Sequence, residues 1–425
     1  MRGAYVLLTG VHYVSCVRYS FPLLMTAAIL VPGGAARGER IGAATPLLTF
    51  SVHYRANGSV AGDGGICAAG PGGHSFRVTD PYEDDTPSWS PDGNRIAFAR
   101  FWDRGNPPGR HDEVSDILIG DAQGRHLRNL SVASGVGGNA NVGPVWSPDG
   151  TKLAFVGGWY GASINIVNAD GSGGRELRTF GYPTTWPGPL SWSPDGQRLL
   201  FGISGEIRVI DVDGSHEQTL IPSGFGGVWS PDGQHIAYLR LEQDSTLSLV
   251  VANADGSDPK VLVDSVARSG NPAWSPDGEW IAVAGPVENR ILEIHPDGTD
   301  IHVVQTGLLP VAQPAWRPAA ALPRNRRPCA IVGTSRANVL RGTNRGDLIL
   351  GEGGNDTIYG LGGDDTIDGG SGHDRIYGGT GRDLFGAQDG TRDLVAGGLG
   401  FDSAYFDKRD RLTSIELNEK TGGKP

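Results

Sequence analysis

A nine-residue period governs residues 333 to 405, and it restricts this part of the chain to very few folds. The clearest units are Gly351 to Tyr359, Gly360 to Asp368, Gly369 to Tyr377 and Gly378 to Gly386. Each carries three glycines among its first four positions, Asp at the sixth and an apolar residue at the eighth. The sixth-position column runs Asn338, Asp347, Asp356, Asp365, Asp374 and Asp383, then, after one inserted residue, Asp393 and Asp402. The eighth-position column runs Leu340, Ile349, Ile358, Ile367, Ile376, Phe385, Val395 and Ala404. A glycine-rich turn can aim its carbonyls at one centre, and three residues with one apolar member make a short strand facing a thin core. Two units complete one coil, so units 18 residues apart stack, with Asp347 over Asp365, Asp356 over Asp374 and Asp365 over Asp383.

A column of carboxylates is unfavourable by itself. Stacked strands lie about 4.8 Å apart, where unit charges repel by about 1 kcal/mol in water and several times more at an effective dielectric of about 20. A cation offsets this. Calcium takes about six to eight oxygen ligands at about 2.3 to 2.6 Å in a flexible geometry, which suits carboxylates joined by turn carbonyls, whereas magnesium demands a tighter octahedron. The repeats hold none of the Cys or His clusters that zinc prefers. A glycine-rich linker would share the composition, since Gly is 67 of 425 residues, but a linker gives no reason for two fixed columns.

The period resembles the calcium-binding RTX nonapeptide repeat, which implies a parallel β-roll. That resemblance implies several Ca2+ ions held by the sixth-position Asp side chains and by turn carbonyls. It carries over to Asp347, Asp356, Asp365, Asp374 and Asp383, with carbonyls near Gly351, Gly353, Gly360, Gly362, Gly369, Gly370, Gly372, Gly378, Gly379 and Gly381. Asn338, Asp393 and Asp402 are weaker candidates. The first unit has few glycines, the second has Thr343 and Arg345 at glycine positions, and the insertion within Ala387 to Arg392 is expected to break the stacking register. Good sites are therefore expected only in the middle. Without calcium the repeats are expected to be disordered, because metal-binding energy would be folding energy.

Upstream, Trp-Ser-Pro-Asp-Gly occurs five times, at Trp89, Trp146, Trp192, Trp229 and Trp274, with a degenerate copy at Trp316. Ser, Pro and Asp-Gly are turn residues, and each turn is followed by a short β-rich segment such as Ile96-Ala97-Phe98 or Leu153-Ala154-Phe155. Two further strands follow in each repeat, and four strands per repeat is the blade of a propeller. Trp316 offers a first strand, while Leu47 to Val52, Ile66 to Ala69 and Phe76 to Val78 read as strands two to four. One blade built from both ends would close a ring of six and remove open edges. This stretch resembles the six-bladed TolB-type propeller, which also carries Asn-Ala-Asp-Gly, here at Asn168 to Gly171 and Asn253 to Gly256. The resemblance implies a ring that binds a protein or cell-surface ligand, without identifying it. The repeated Trp and Asp read as blade-building residues, and the insert Asp103 to Asp116 as a candidate contact loop.

The expected fold class is all-β, a six-bladed β-propeller followed by a parallel β-roll. Residues 1–36 read as a signal peptide, 37–329 as the propeller, 330–410 as the calcium-binding roll and 411–425 as a tail. The signal reading rests on the apolar run Phe21 to Pro32, preceded by Arg18 and followed by Gly33 to Ala36. That run is shorter than the ~20 residues a membrane span needs, so stable insertion is not expected. Export leaves Cys67 and Cys329, which can pair or remain thiols; pairing would staple the ring. A formal net charge of −11 argues against nucleic acid as partner. The favoured function is a secreted or envelope-associated, non-catalytic calcium-binding protein. The alternative is a calcium-dependent hydrolase or lyase with its site on the propeller. Neither a Gly-x-Ser-x-Gly elbow nor His-Glu-x-x-His is present: His216-Glu217 begins the latter, but Leu220 holds the second histidine's place.

Overall fold

The computed structural model describes residues 47–420 apart from 57–59, 70–74, 80–83, 103–113, 139, 159–160, 182–186, 268–269, 287–289, 306–310 and 319–327. The signal-like segment and most of the Asp103 to Asp116 insert lie outside the described residues. Strands dominate, and the sole helix among the described residues is the five-residue Leu130–Ser134.

Each Trp-Ser-Pro-Asp-Gly turn is closed by its own side chains. Ser147 Oγ donates to Asp149 Oδ1 at 2.6 Å and accepts the Lys152 N–H at 2.9 Å, while the Gly150 N–H reaches the Ser147 carbonyl at 2.9 Å. Gly150 sits at φ 69°, in the left-handed region that glycine tolerates best. In three repeats the tryptophan reaches back to a carbonyl of the four-stranded set before it, whereas the indole nitrogens of Trp229 and Trp274 are buried without a hydrogen-bond partner. The indole N–H donates from Trp146 to the Ser88 carbonyl, from Trp192 to the Val145 carbonyl and from Trp316 to the Ala273 carbonyl, at 3.2, 3.1 and 3.0 Å. Arg95 and Arg317 lie over the rings of Trp146 and Trp89, at 4.4 and 4.7 Å. At these positions the tryptophan is thus a joint between neighbouring four-stranded sets.

The antiparallel part comprises four four-stranded sheets and one of eight strands. The eight-stranded sheet runs from Asp84–Trp89 to Arg175–Phe180 and consists of two antiparallel sets of four, joined by the single parallel pair Ser115↔Ala140. Hydrogen bonding therefore delivers five sheets where six blades were expected; divided at that pair, the large sheet would supply two. The closing sheet is built from both ends, with Val311–Arg317 alongside Leu47–Ala56, then Val60–Ala69 and Ser75–Arg77.

The repeats form two parallel sheets. One has six strands, from Ile331–Thr334 through Leu348–Glu352, Thr366–Asp368, Leu384–Ala387 and Ser403–Phe406 to Leu417–Lys420; the other has five, from Val339–Arg341 through Thr357–Gly362, Arg375–Thr380 and Leu394–Leu399 to Arg411–Thr413. The eighth-position column, Ile349 to Ala404, is buried between them as a core one side chain thick. Both ladders run past residue 410. The one-residue insertion does not break them: Arg375 still pairs with Leu394 and Leu384 with Ser403. The extra residue is taken up in the turn, because only the turn, and not the strand, can lengthen without shifting the apolar face.

The two parts are tied together. Leu348 and Leu350, on the outer face of the roll, pack in one buried cluster with Leu48, Phe50 and Ile291 of the antiparallel sheets. Cys67 and Cys329 in the same cluster form a disulfide with a sequence separation of 262 residues, and Arg77 donates to the Cys329 carbonyl. Closing a loop of that length stabilises by at most about 5 kcal/mol on chain entropy. Replacing both cysteines by serine is expected to lower stability to urea by about 2 to 5 kcal/mol in calcium. Superimposable unfolding curves for the bonded and serine forms would show that the bridge contributes nothing.

Candidate metal centre

The turns of the roll place the sixth-position side chains in two columns, one at each junction of the sheets. In each column the Oδ1 atom of one Asp accepts the backbone N–H of the residue one coil earlier. Asp347 N–H donates to Asp365, Asp365 to Asp383 and Asp383 to Asp402, at 2.8, 2.9 and 2.9 Å. In the second column Asn338 N–H donates to Asp356, Asp356 to Asp374 and Asp374 to Asp393, at 2.7, 2.8 and 2.8 Å. The stacking inferred from the period is the stacking observed.

The other carboxylate oxygen is the unusual one. The Oδ2 atoms of Asp356, Asp365, Asp374, Asp383, Asp393 and Asp402 are buried and have no hydrogen-bond partner. A buried acceptor left unpaired costs roughly 1 to 3 kcal/mol, more when charged, so six in one small module call for a compensating partner. All but that of Asp393 lie beside the glycine that opens the unit, Gly351, Gly360, Gly369, Gly378 or Gly397. A Cβ at Gly351 or Gly369 would stand 2.6 Å from Oδ2 of Asp356 or Asp374. At Gly360 it would stand 2.5 Å from the Gly378 carbonyl oxygen and closer still to Asp365 Oδ2. Glycine is thus required where a carboxylate oxygen and a carbonyl oxygen of the next coil converge. Among the described residues no three His, Cys, Asp or Glu side chains group as metal ligands. An ion here would draw on one or two carboxylates plus backbone carbonyls, the oxygen-only donor set that suits a hard cation.

The ends of the columns differ, and not as the sequence suggested. Asp393 and Asp402, weaker candidates because of the insertion, are buried and keep an unpartnered Oδ2 like the central residues. Asp347, grouped with the strong candidates, is set apart: its Oδ2 accepts the Thr343 N–H and Oγ–H at 2.7 and 2.8 Å. Asn338 is satisfied in the same way by the Thr334 N–H at 2.7 Å. At the other end Asp410 accepts the N–H groups of Asp393 and Asp407, and Glu416 accepts that of Asp402. Thr334, Thr343, Asp410 and Glu416 were missed in the sequence. A Thr at the second position of the first two units was the available signal for the leading end; nothing in the period marks Asp410 or Glu416.

Burial, and then repulsion from neighbouring carboxylates, raises these groups: Asp365 and Asp393 to about 8, Asp383 to about 7 and Asp374 to about 6. Asp356 and Asp402 are also raised, burial again the first cause. In the metal-free chain a folded value above the unfolded one means that folding takes up protons. That stability is fully present below pH about 4 and is lost as the pH rises toward about 8. In chelator the repeats are therefore expected to be more ordered at pH 4 than at pH 8, and calcium affinity to weaken on acidification. Circular dichroism across this range checks both; greater order at pH 8 in chelator would contradict the assignment.

Comparison with known proteins agrees with this geometry. Residues 332–367 and 350–385 match the family model described as RTX calcium-binding nonapeptide repeat (4 copies). Over 200 residues the chain is 30% identical to "Uncharacterized peptidase YuxL" of Bacillus subtilis, covering 46% of this chain and 28% of that protein. Over 81 residues it is 29% identical to the Tol-Pal system protein TolB of Alcanivorax borkumensis, covering 18% and 19%. The chain therefore spans less than a third of either relative. The crystal structure of TolB from Acinetobacter baumannii superposes with a TM-score of 0.52 at 17% identity, over 65% of this chain and 67% of that one, a likeness of fold. The chain thus carries an antiparallel array similar in fold to the TolB propeller, followed by a parallel β-solenoid whose repeats match the RTX calcium-binding nonapeptide model.

Proposed function

We propose that this is a secreted, non-catalytic binding protein whose six-bladed propeller engages a protein or cell-surface ligand and whose roll is folded and made rigid by calcium outside the cell. The observation that carries the calcium part is the set of six buried, unpartnered Oδ2 atoms. Bound calcium would supply the positive charge that lets these carboxylates stay ionised in the interior. Asp356, Asp365, Asp374, Asp383, Asp393 and Asp402 would hold the ions, with carbonyl oxygens such as those of Gly369, Gly378 and Gly397. Asp347 and Asn338 would instead close the leading end through Thr343 and Thr334. Secretion is supported by the signal-like N-terminal run, by the disulfide, and by the low calcium of the cytoplasm, in which such a module would stay slack.

The rival reading, a hydrolase, gains its one point from the printed name of the Bacillus relative, of which the chain spans 28%. A Ser-His-Asp grouping does occur at Ser215, His216 and Asp211. Both partners meet the same His216 nitrogen, with Ser215 Oγ at 3.0 Å and Asp211 Oδ2 at 2.8 Å from Nδ1. A relay needs the serine on one ring nitrogen and the carboxylate on the other, so this grouping is a surface cluster and not a catalytic triad.

Calcium titration of the full chain, followed by calorimetry and circular dichroism, is expected to show saturable heat and a gain of β-structure. Asp365→Asn combined with Asp383→Asn is expected to remove part of both signals and to weaken calcium affinity by about tenfold or more. Identical spectra and no heat in the unsubstituted chain would overturn the proposal.

A further inference from the structure

The two sheets of the roll have different outer faces. The six-stranded sheet turns Leu348 and Leu350 against the antiparallel sheets. The five-stranded sheet displays two outward rows that no other element covers among the described residues. Parallel register defines them: Val339, Thr357, Arg375, Leu394 and Arg411 in one, and Arg341, Tyr359, Tyr377, Ala396 and Thr413 in the other. The intervening Leu340, Ile358, Ile376, Val395 and Leu412 point into the core, which fixes these ten positions as outward.

The ten positions hold three arginines, two tyrosines and no Asp or Glu, in a chain of net charge −11. Arg341, Arg375 and Arg411 are exposed, and none of the three forms an ion pair with a carboxylate among the described residues. They occupy the first, third and fifth rungs, hence every second rung, about 10 Å apart along the axis of the roll. The Arg341 guanidinium lies 4.6 Å over the Tyr359 ring, which stacks on Tyr377 with centroids 5.2 Å apart and an interplanar angle of 12°. The next position in that row is Ala396, so the stack ends at Tyr377, whose second face looks over a methyl group.

We propose that this face binds an acidic polysaccharide lying along the axis of the roll. A linear polyanion suits cations spaced evenly along the axis: Arg375 and Arg411 stand in one row, and Arg341, in the neighbouring row, can be met by a carboxylate on the other side of the polymer. Guanidinium groups bind carboxylates through two parallel hydrogen bonds, and the free face of Tyr377 offers a flat apolar surface to the carbon side of a pyranose ring. A peptide would instead seek an open strand edge, where the backbone bonds are, and not a sheet face whose backbone is already paired. Three arginines also fall short of the clusters of four to eight basic residues that hold anionic membranes. The inference rests on the proposed calcium-folded roll, since only stacked coils align the rows.

The test uses the full chain in millimolar calcium, an oligo-uronate too short to gel with the metal, a neutral glucan oligosaccharide of equal length, and vesicles of anionic phospholipid. The oligo-uronate is expected to bind, more weakly as salt rises, and the glucan is not. Arg375→Ala with Arg411→Ala is expected to weaken uronate binding by about tenfold or more, and Tyr377→Ala to weaken it with the salt dependence unchanged. Calcium-induced dichroism is recorded on every sample and is expected to be the same for all. Equal affinity of the double variant, equal binding of the glucan, binding to vesicles only, or no uronate binding would each overturn the inference. A chain that shows the calcium transition but ignores oligo-uronate refutes this face alone; a chain without that transition refutes the calcium reading, and its uronate binding still decides the face.

Discussion

The structure depends on a carboxylate that is half satisfied. In every coil from Asp356 to Asp402 one oxygen accepts a backbone N–H from the coil before, while the other is buried without a partner. The first bond sets the stacking register. The second oxygen makes that register costly unless a cation joins it. Hydrophobic burial gives limited help, since the core of the roll is only one column of side chains from each sheet, with the small Val395 and Ala404 toward its far end. On the proposed reading the order of the module follows from the ion, and the raised proton affinity of Asp365, Asp383 and Asp393 is the same unpaired charge seen from another side.

The roll is not an isolated appendage. Its first long strand, Leu348–Glu352, is seated on the sheet in which the two ends of the antiparallel array meet, and the Cys67–Cys329 bridge lies in that seat. Ordering of the repeats and closure of the array therefore share a hydrophobic cluster. At the end of the roll nearest the seat the leading turns are completed by Thr334 and Thr343, which donate to Asn338 and Asp347. One outer face is committed to that seat, which leaves the other to the medium.

Much of this was legible in residue spacing. The Asp and Ile columns imposed stacking at 18 residues, and Trp316 with Leu47 to Val52 announced a sheet made from both ends. Spacing alone misled at the insertion near Ala387: a lengthened turn leaves the strands in register, so Asp393 and Asp402 match the central residues. Spacing also gave no sign that Asp347 differs: the threonine that replaces glycine at 343 donates its N–H and Oγ–H to the oxygen that stays unpartnered in Asp356 to Asp402. The role of the repeated tryptophan as a joint was not visible, since the carbonyl it meets lies 43 to 58 residues earlier and belongs to no motif. The count of sheets was likewise beyond the pattern, as one bridge at Ser115 and Ala140 merges two repeats.

The most direct measurement is hydrogen exchange at the backbone amides of Asp347, Asp356, Asp365, Asp374 and Asp383, each of which donates to the Asp one coil later. In millimolar calcium at neutral pH these amides should exchange slowly, and in chelator they should exchange as in an unfolded chain. Equal protection in both conditions would mean that the columns stack without an ion, and the account would be wrong.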